Sequence, residues 1–244
     1  MDEELERAFD ENARSYDRVN RILSFGLDAR WRRWAARESV WRDGARVLDA
    51  FAGTGMVGLE ASAIGARVTL TDASPGMLEV AERRAHEREL DIDVVRADLS
   101  SPDLPFAPAV FDTVTVVFGV RYLGEPAKVL RRLGGLLVPG GRLVIVEFVV
   151  PRPSLVSAFA STYFFHVIPK IAPLLGGRSR LHDTLAETTR ALGTAQALVT
   201  IVEEAGLEVM ARRSMGFGMV AGIVCRVPGA SEQSEQPAGE SVDR

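Results

Sequence analysis

From residue 45 onward the apolar positions alternate between two rhythms. Ala45-Arg46-Val47-Leu48-Asp49-Ala50-Phe51 is a short apolar run that ends at a glycine turn, and helical spacing follows from about Met56 to Ile64. ARVTLTD (66–72) repeats the first rhythm, and a helical stretch opens after Ser74-Pro75. DIDVVRAD (91–98) and FDTVTVVFG (111–119) come next, then a helix from about Pro126 to Leu137, a Pro139-Gly140-Gly141 turn and the unbroken apolar run RLVIVEFVV (142–150). Short runs apolar at nearly every position, separated by helices, predict parallel strands buried on both faces. A helix near Ala195 to Ala205 leads into GLEVMARRS and GMVAGIVCRV, which read as an antiparallel pair closing the sheet edge. The fold expected is α/β: a doubly wound, mostly parallel seven-stranded sheet.

Two segments stand outside this rhythm. Residues 1–44 carry helical spacing with Phe9, Tyr16, Phe25, Trp31 and Trp34 among alternating charges, and predict a helical cap. Residues 151–193 predict a helical lid inserted after the fifth strand. Its most apolar part, about Leu155 to Leu175, contains His166, Pro169, Lys170 and Pro173, which interrupt both the charge-free run and the helix of a membrane span. It reads as a packed or membrane-touching lid. Residues 1–228 are expected to form a single domain, and 229–244 have the composition of a disordered tail.

Composition narrows the chemistry. A net charge of −4 and a pI near 5.5 argue against a nucleic-acid partner, whose phosphates need a clustered basic face. Cys225 is the only cysteine, so neither an intrachain disulfide nor a cysteine zinc site can form, and no metal is expected. The acidic opening MDEELERAFDENARSYD has no apolar core of a secretory signal, which points to the cytoplasm.

Gly53-Thr54-Gly55-Met56-Val57-Gly58 matches G-x-G-x-x-G between a strand and a helix, with Asp72 ending the next strand. Alone, that pattern fits a nicotinamide dinucleotide equally well. Asp49 discriminates, because a carboxylate beside the glycines repels a pyrophosphate at the helix N-terminus. S-adenosylmethionine has no phosphate and offers an ammonium to a carboxylate or to nearby carbonyls. Gly53 and Gly55 let the backbone approach such a cofactor closely. Asp72 suits the two ribose hydroxyls, and Asp98 suits the adenine amino group with Leu99 beside the ring. For each Asp the alternative is a turn residue or a helix cap.

VLDAFAGTG, LTDAS, FDTVTVVFG and LVPGGRLVIVEF together resemble class I methyltransferases over about residues 45–150. From about Phe9 to Val224 the chain is similar to the ubiquinone/menaquinone biosynthesis C-methyltransferase family. Three segments carry this: Phe9-Asp10 through Tyr16-Asp17-Arg18-Val19-Asn20 with Leu23-Ser24-Phe25-Gly26 and Trp31; Phe118-Gly119-Val120-Arg121; and Phe165-His166-Val167-Ile168-Pro169-Lys170-Ile171. The chain departs from the family pattern at Asp28, where His is usual, at Tyr122, where Asn is usual, and after Gly177.

The resemblance implies an S-adenosylmethionine-dependent C-methyltransferase whose acceptor is a small lipophilic molecule, a prenylated quinol such as demethylmenaquinol. Peripheral contact with a membrane is inferred from that lipid-like acceptor. Tyr16 and Phe118 are expected near the cofactor and Arg121 at the reacting centre, where a guanidinium stabilises a phenolate or orients water. His166 is a second catalytic candidate, as a proton acceptor. Tyr122 and the cluster Phe159, Tyr163, Phe164 and Phe165 are candidates for the acceptor pocket or for ordinary core packing. Other readings are a different lipid, amine or secondary-metabolite acceptor, and a non-catalytic cofactor-binding partner subunit.

Overall fold

The computed structural model describes residues 3–175 and 179–228, so the expected tail at 229–244 lies outside the described residues. Seven strands form one sheet in the order β3-β2-β1-β4-β5-β7-β6. Strands β1 (Arg46–Ala50), β2 (Arg67–Asp72), β3 (Ile92–Arg96), β4 (Phe111–Val117) and β5 (Leu137–Phe148) run parallel. β7 (Val220–Arg226) pairs antiparallel with both β5 and β6 (Glu208–Met215), as the turn-linked pair predicted. β6 is mostly exposed and carries Arg212 and Arg213, charges suited to an unpaired edge.

Alternation along the strands sends successive side chains to opposite faces. Leu48, Val114, Leu143 and Ile145 face a core completed by α5 (Pro126–Gly134), α9 (Ala195–Glu204) and the end of α8 (Ser179–Leu192). Val47, Val68, Val144 and Val146 face the opposite core, closed by α2 (Leu27–Ser39), α3 (Met56–Ala63) and α4 (Pro75–Glu87). Both faces are therefore dry, which is why the strands read as continuous apolar runs.

The cap is α1 (Glu3–Leu23) followed by α2. α1 packs Ala13 with Phe9 and Tyr16 on Met77 and Val80 of α4. Its Asp10 also accepts from the Ser74 hydroxyl at 2.9 Å and the Gly76 N–H at 2.6 Å, so a carboxylate from the cap sits on the positive end of α4. The lid is α6 (Leu155–Thr162), a wide π turn at Tyr163–Val167, α7 (Ile168–Ile171) and a tight turn at Ala172–Leu175. Pro169 and Pro173 do not end this helical course. The backbone widens immediately before Pro169, which relieves the clash of its ring with the preceding turn. Leu155–Leu175 is long and apolar enough to cross a membrane by length and composition, and only 22% of its window is buried.

The order reverses between β1 and β4, so the crevice beyond their C-terminal ends is where a doubly wound sheet binds ligands. Gly55 initiates α3 with φ +75°, a conformation L side chains avoid. Gly58, one turn later, presses against the sheet: an added Cβ would overlap Leu70 and lie 2.9 Å from Val68 Cγ1. Gly58→Ala is expected to cost about 1–3 kcal/mol through overpacking, read as a lowered denaturant midpoint with an unchanged slope. An unshifted midpoint sinks this account of the third glycine.

Candidate active site

The site grows from the loop between β1 and α3, where Ala52 N–H reaches the Thr71 carbonyl of β2 at 2.9 Å and the donors that follow turn to side chains or to the loop itself. Asp72, ending β2, accepts from Gly53 N–H at 2.8 Å and from Ser74 N–H at 2.9 Å. Asp49, on β1, accepts from Gly58 N–H at 2.9 Å and from the Thr115 hydroxyl of β4 at 2.6 Å. Asp17, from the cap, accepts from the Thr54 hydroxyl at 2.7 Å and pairs with Arg84 of α4 at 2.6 Å and Arg32 of α2 at 3.4 Å. Three carboxylates from three elements thus surround one turn. Arg84 and Arg32 compensate Asp17, so Asp72 and Asp49 supply the negative charge beside the glycines, which favours a cationic ligand over a pyrophosphate.

Asp49 is 2% exposed, and burial pushes its carboxyl up to about 6 against the lowering hydrogen bonds from Thr115 and Gly58. Its side chain is turned into the protein, so it shapes the loop and stands behind the ligand-facing surface. Asp72 and Gly53, by contrast, line a narrow cleft of about 60 Å³ with Phe9, Met77, Ser100 and Phe118. Gly53 has φ +55° and open space where a Cβ would stand. Asp98 is exposed beyond β3 and accepts from both the backbone N–H and the hydroxyl of Ser100; these bonds outweigh its burial and lower its pKa. Leu99, placed beside an adenine ring by sequence, is instead 1% exposed in the core against the α5 and α9 side. The turn after β3 rotates it inward, and Ser100 takes the cleft.

A second cavity of about 640 Å³ opens between cap, lid and sheet. Its walls are mainly apolar, including Trp31, Phe148, Phe159, Phe164 and Met219, with Tyr16, Asp28, Arg32, Arg121 and Tyr122 as polar groups. Phe118 and Tyr122 line both cavities, so the two spaces share one wall. Phe118 holds φ +61° and stacks on Phe148 with ring centroids 4.6 Å apart. A bulky residue in that conformation is strained and needs a reason; here the strain puts its ring between the cavities.

Arg121 stands at this wall. Its Nη1 donates to Glu147 at 2.6 Å and to the Phe118 carbonyl at 2.9 Å, and its Nη2 donates to the Tyr122 hydroxyl at 3.0 Å. Glu147 is fully buried and also accepts from the backbone N–H groups of Arg121 and Phe148. Burial alone would lower the pKa of Arg121, but Glu147 and the phenols of Tyr122 and Tyr16 raise it above the ordinary value. Arg121 is a permanent, immobilised cation. Tyr16 is pushed up to about 12, chiefly by burial and then by Tyr122, so its phenol stays protonated.

His166 does not join this site. The π turn leaves it exposed, and it is absent from the cavity wall, while Phe164 and Ile168 point inward. Of the lid aromatics, Phe159, Tyr163 and Phe164 reach the cavity, and Phe165 packs against Phe164. Sequence reasoning missed Glu147, Asp17, Arg32 and Arg84. Glu147 carried a signal: an acid inside the run RLVIVEFVV is costly unless a buried partner meets it.

A doubly wound seven-stranded sheet, an acid-bound glycine loop at its switch point and an apolar cavity sharing a wall with that loop are parts a methyltransferase uses, and the family match shows that class. The chain belongs to the ubiE/COQ5 methyltransferase family, which it matches over residues 1–225. It is 37% identical over 215 residues to a demethylmenaquinone methyltransferase of Thermus thermophilus, covering 87% of this chain and 96% of that one. It is 30% identical over 218 residues to the ubiquinone/menaquinone biosynthesis C-methyltransferase UbiE of Proteus mirabilis, covering 88% and 87%. A SAM-dependent methyltransferase from Aquifex aeolicus has the same fold, with a TM-score of 0.58 at 17% identity over 79% of this chain and 87% of that one. The resemblance noted in the N-terminal, FG-x-R and insert segments holds at family level.

The raised Asp49 carboxyl makes a signed prediction. Its folded value, about 6, exceeds the unfolded one, so the folded chain binds the extra proton. This contribution to stability is present at low pH and is lost as pH rises between about 4 and 6. Thermal unfolding of native protein and Asp49→Asn should show the native chain losing stability relative to the variant across that window. Parallel profiles contradict the assignment.

Proposed function

We propose that this chain transfers a methyl group from S-adenosylmethionine to a ring carbon of a prenylated quinol, with demethylmenaquinol the leading acceptor. The observation that carries this reading is the wall shared by the acid-bound loop and the apolar cavity. Its relatives include proteins named for demethylmenaquinone methylation. When bound, S-adenosylmethionine supplies a methyl group already activated on a sulfonium, which leaves alignment and charge stabilisation to the protein.

The residues present fit such a cofactor. Asp72 and Gly53 line the cleft at the switch point, Asp98 stands at the neighbouring strand end, and Asp49 adds negative charge behind the loop, while Asp17 is matched by Arg32 and by Arg84, which also donates to the Thr54 carbonyl. Phe9 of α1 lines this cleft, whereas Tyr16, expected beside the cofactor, lines the adjoining large cavity. Arg121 and Tyr122 face the acceptor. A quinol carbon becomes nucleophilic when the adjacent hydroxyl loses its proton, and a fixed guanidinium stabilises the resulting phenolate. The Tyr122 hydroxyl accepts from Arg121 and so has its own proton to present to the acceptor oxygen.

Calorimetry with S-adenosylhomocysteine on native protein and Asp72→Ala, followed by labelled methyl transfer to a short-tailed demethylmenaquinol, tests both levels. Native protein should bind and turn over, and Asp72→Ala should lose at least about tenfold in affinity, in line with the loss of hydrogen bonds to a charged group. Arg121→Lys should keep binding and lose at least about a hundredfold in turnover, as when a preorganised charge-stabilising donor is removed. Binding without transfer moves the acceptor elsewhere; no binding removes the cofactor reading.

The same reading places the cavity mouth on a membrane surface. Phe25, Val156, Phe159 and Phe217 line the cavity and are 60–82% exposed, with Leu155 beside them at 94%. The segments that carry them contain no acid: 18–27 holds Arg18 and Arg21, 148–175 holds Arg152 and Lys170, and 209–225 holds Arg212 and Arg213. In a chain of net charge −4, an apolar rim framed by cations suits an anionic bilayer. Native protein should co-sediment with phosphatidylglycerol vesicles, release as salt rises, and bind phosphatidylcholine weakly. Leu155→Ser with Phe159→Ser should abolish the association. Retained binding in that variant excludes this rim.

A further inference from the structure

We infer that Asp28 is a recognition group that selects the reduced, hydroxyl-bearing form of the acceptor; this rests on the quinol reading above. Asp28 sits in the first turn of α2 and lines the large cavity, 8% exposed. The Ser24 hydroxyl donates to its Oδ1 at 2.9 Å. Among the described residues no hydrogen bond or ion pair reaches Oδ2. Arg32, one turn further along the same helix, would ordinarily be its salt-bridge partner. It is drawn to Asp17 instead, at 3.4 Å across to α1. The helix therefore presents to a greasy cavity a nine-tenths buried carboxylate with one oxygen open and its nearest cation diverted.

An open carboxylate oxygen in such a cavity asks for a donor. Arg121 and Tyr122 already serve one acceptor oxygen from the sheet side, and both are donors toward it. Asp28, on the cap side, offers only acceptance. A quinol brings a second hydroxyl that donates to Oδ2. The oxidised quinone brings a carbonyl there, and two acceptors would face each other without a hydrogen between them. A site built to bind a hydroxyl discriminates strongly against the analogue that lacks it. Only the reduced ring has an electron-rich carbon able to accept a methyl cation equivalent, so the residue would keep the unreactive form out of the cavity.

The test uses the full chain under anaerobic conditions, with 2-methyl-1,4-naphthoquinone and its two-electron-reduced diol as probes and calorimetry as the readout. The native protein should bind the diol about tenfold or more tighter than the dione. Asp28→Asn, whose amide both donates and accepts, should bring the two affinities within about twofold, mainly by tightening the dione. Equal affinities in the native protein overturn the inference even if the variant does not fold, and so does a full preference surviving in Asp28→Asn. Methyl transfer to the quinol by native protein is scored separately: transfer without redox preference sinks this inference alone, and preference without transfer sinks the proposed activity while leaving the subsite.

Discussion

Everything at this site depends on how the turn after β1 is held. A loop leaving a parallel sheet carries groups the strands do not all satisfy, and here carboxylates meet three in and beside it: Asp72 from β2 takes Gly53 N–H, Asp49 from β1 takes Gly58 N–H in the first turn of α3, and Asp17 from the cap takes the Thr54 hydroxyl. These contacts fix the loop and seat the N-terminal helices over the switch point, and a fourth, from the Thr115 hydroxyl to Asp49, ties α3 to β4. The structural and chemical roles coincide. A turn bounded by acids is hostile to phosphate and hospitable to a sulfonium and an ammonium.

The cap is more than a cover. Asp17 is gripped by Arg84 and Arg32, Asp10 sits on the start of α4, and Tyr163 of the lid donates to the Leu23 carbonyl at 3.0 Å. These contacts bring α1, α2 and the lid around one apolar space whose inner wall is Phe118, Arg121 and Tyr122. Glu147 immobilises Arg121 there as a buried ion pair. Such a pair contributes little net stability against its desolvation cost, and its use lies in fixing a charge in one orientation.

Most of the fold was legible in the residue pattern, because strands dry on both faces and their crossover helices have distinct periods. All five parallel strands and the antiparallel closing pair were predicted near their observed places. The lid shows the limit of local rules: Pro169 argues for a helix end, yet a π turn carries the helical course past it. That same turn exposes His166, whose position in the sequence motif suggested chemistry. Leu99 likewise went to the core, because the side to which a residue faces after a strand end is set by the turn that follows.

The sequence by itself determined the class of sheet, the glycine turn with its acids at 49 and 72, and the charge pattern that disfavours a phosphate-bearing cofactor. These are properties of residues close together in the chain, where period, turn chemistry and charge act locally. Tertiary structure alone decided that Asp49 backs the loop while Asp72 faces the cleft, that Glu147 orients Arg121, and that Arg32 serves Asp17 instead of Asp28. Each of those outcomes is set by a partner on another element, through which side chains the packed elements bring within hydrogen-bonding distance.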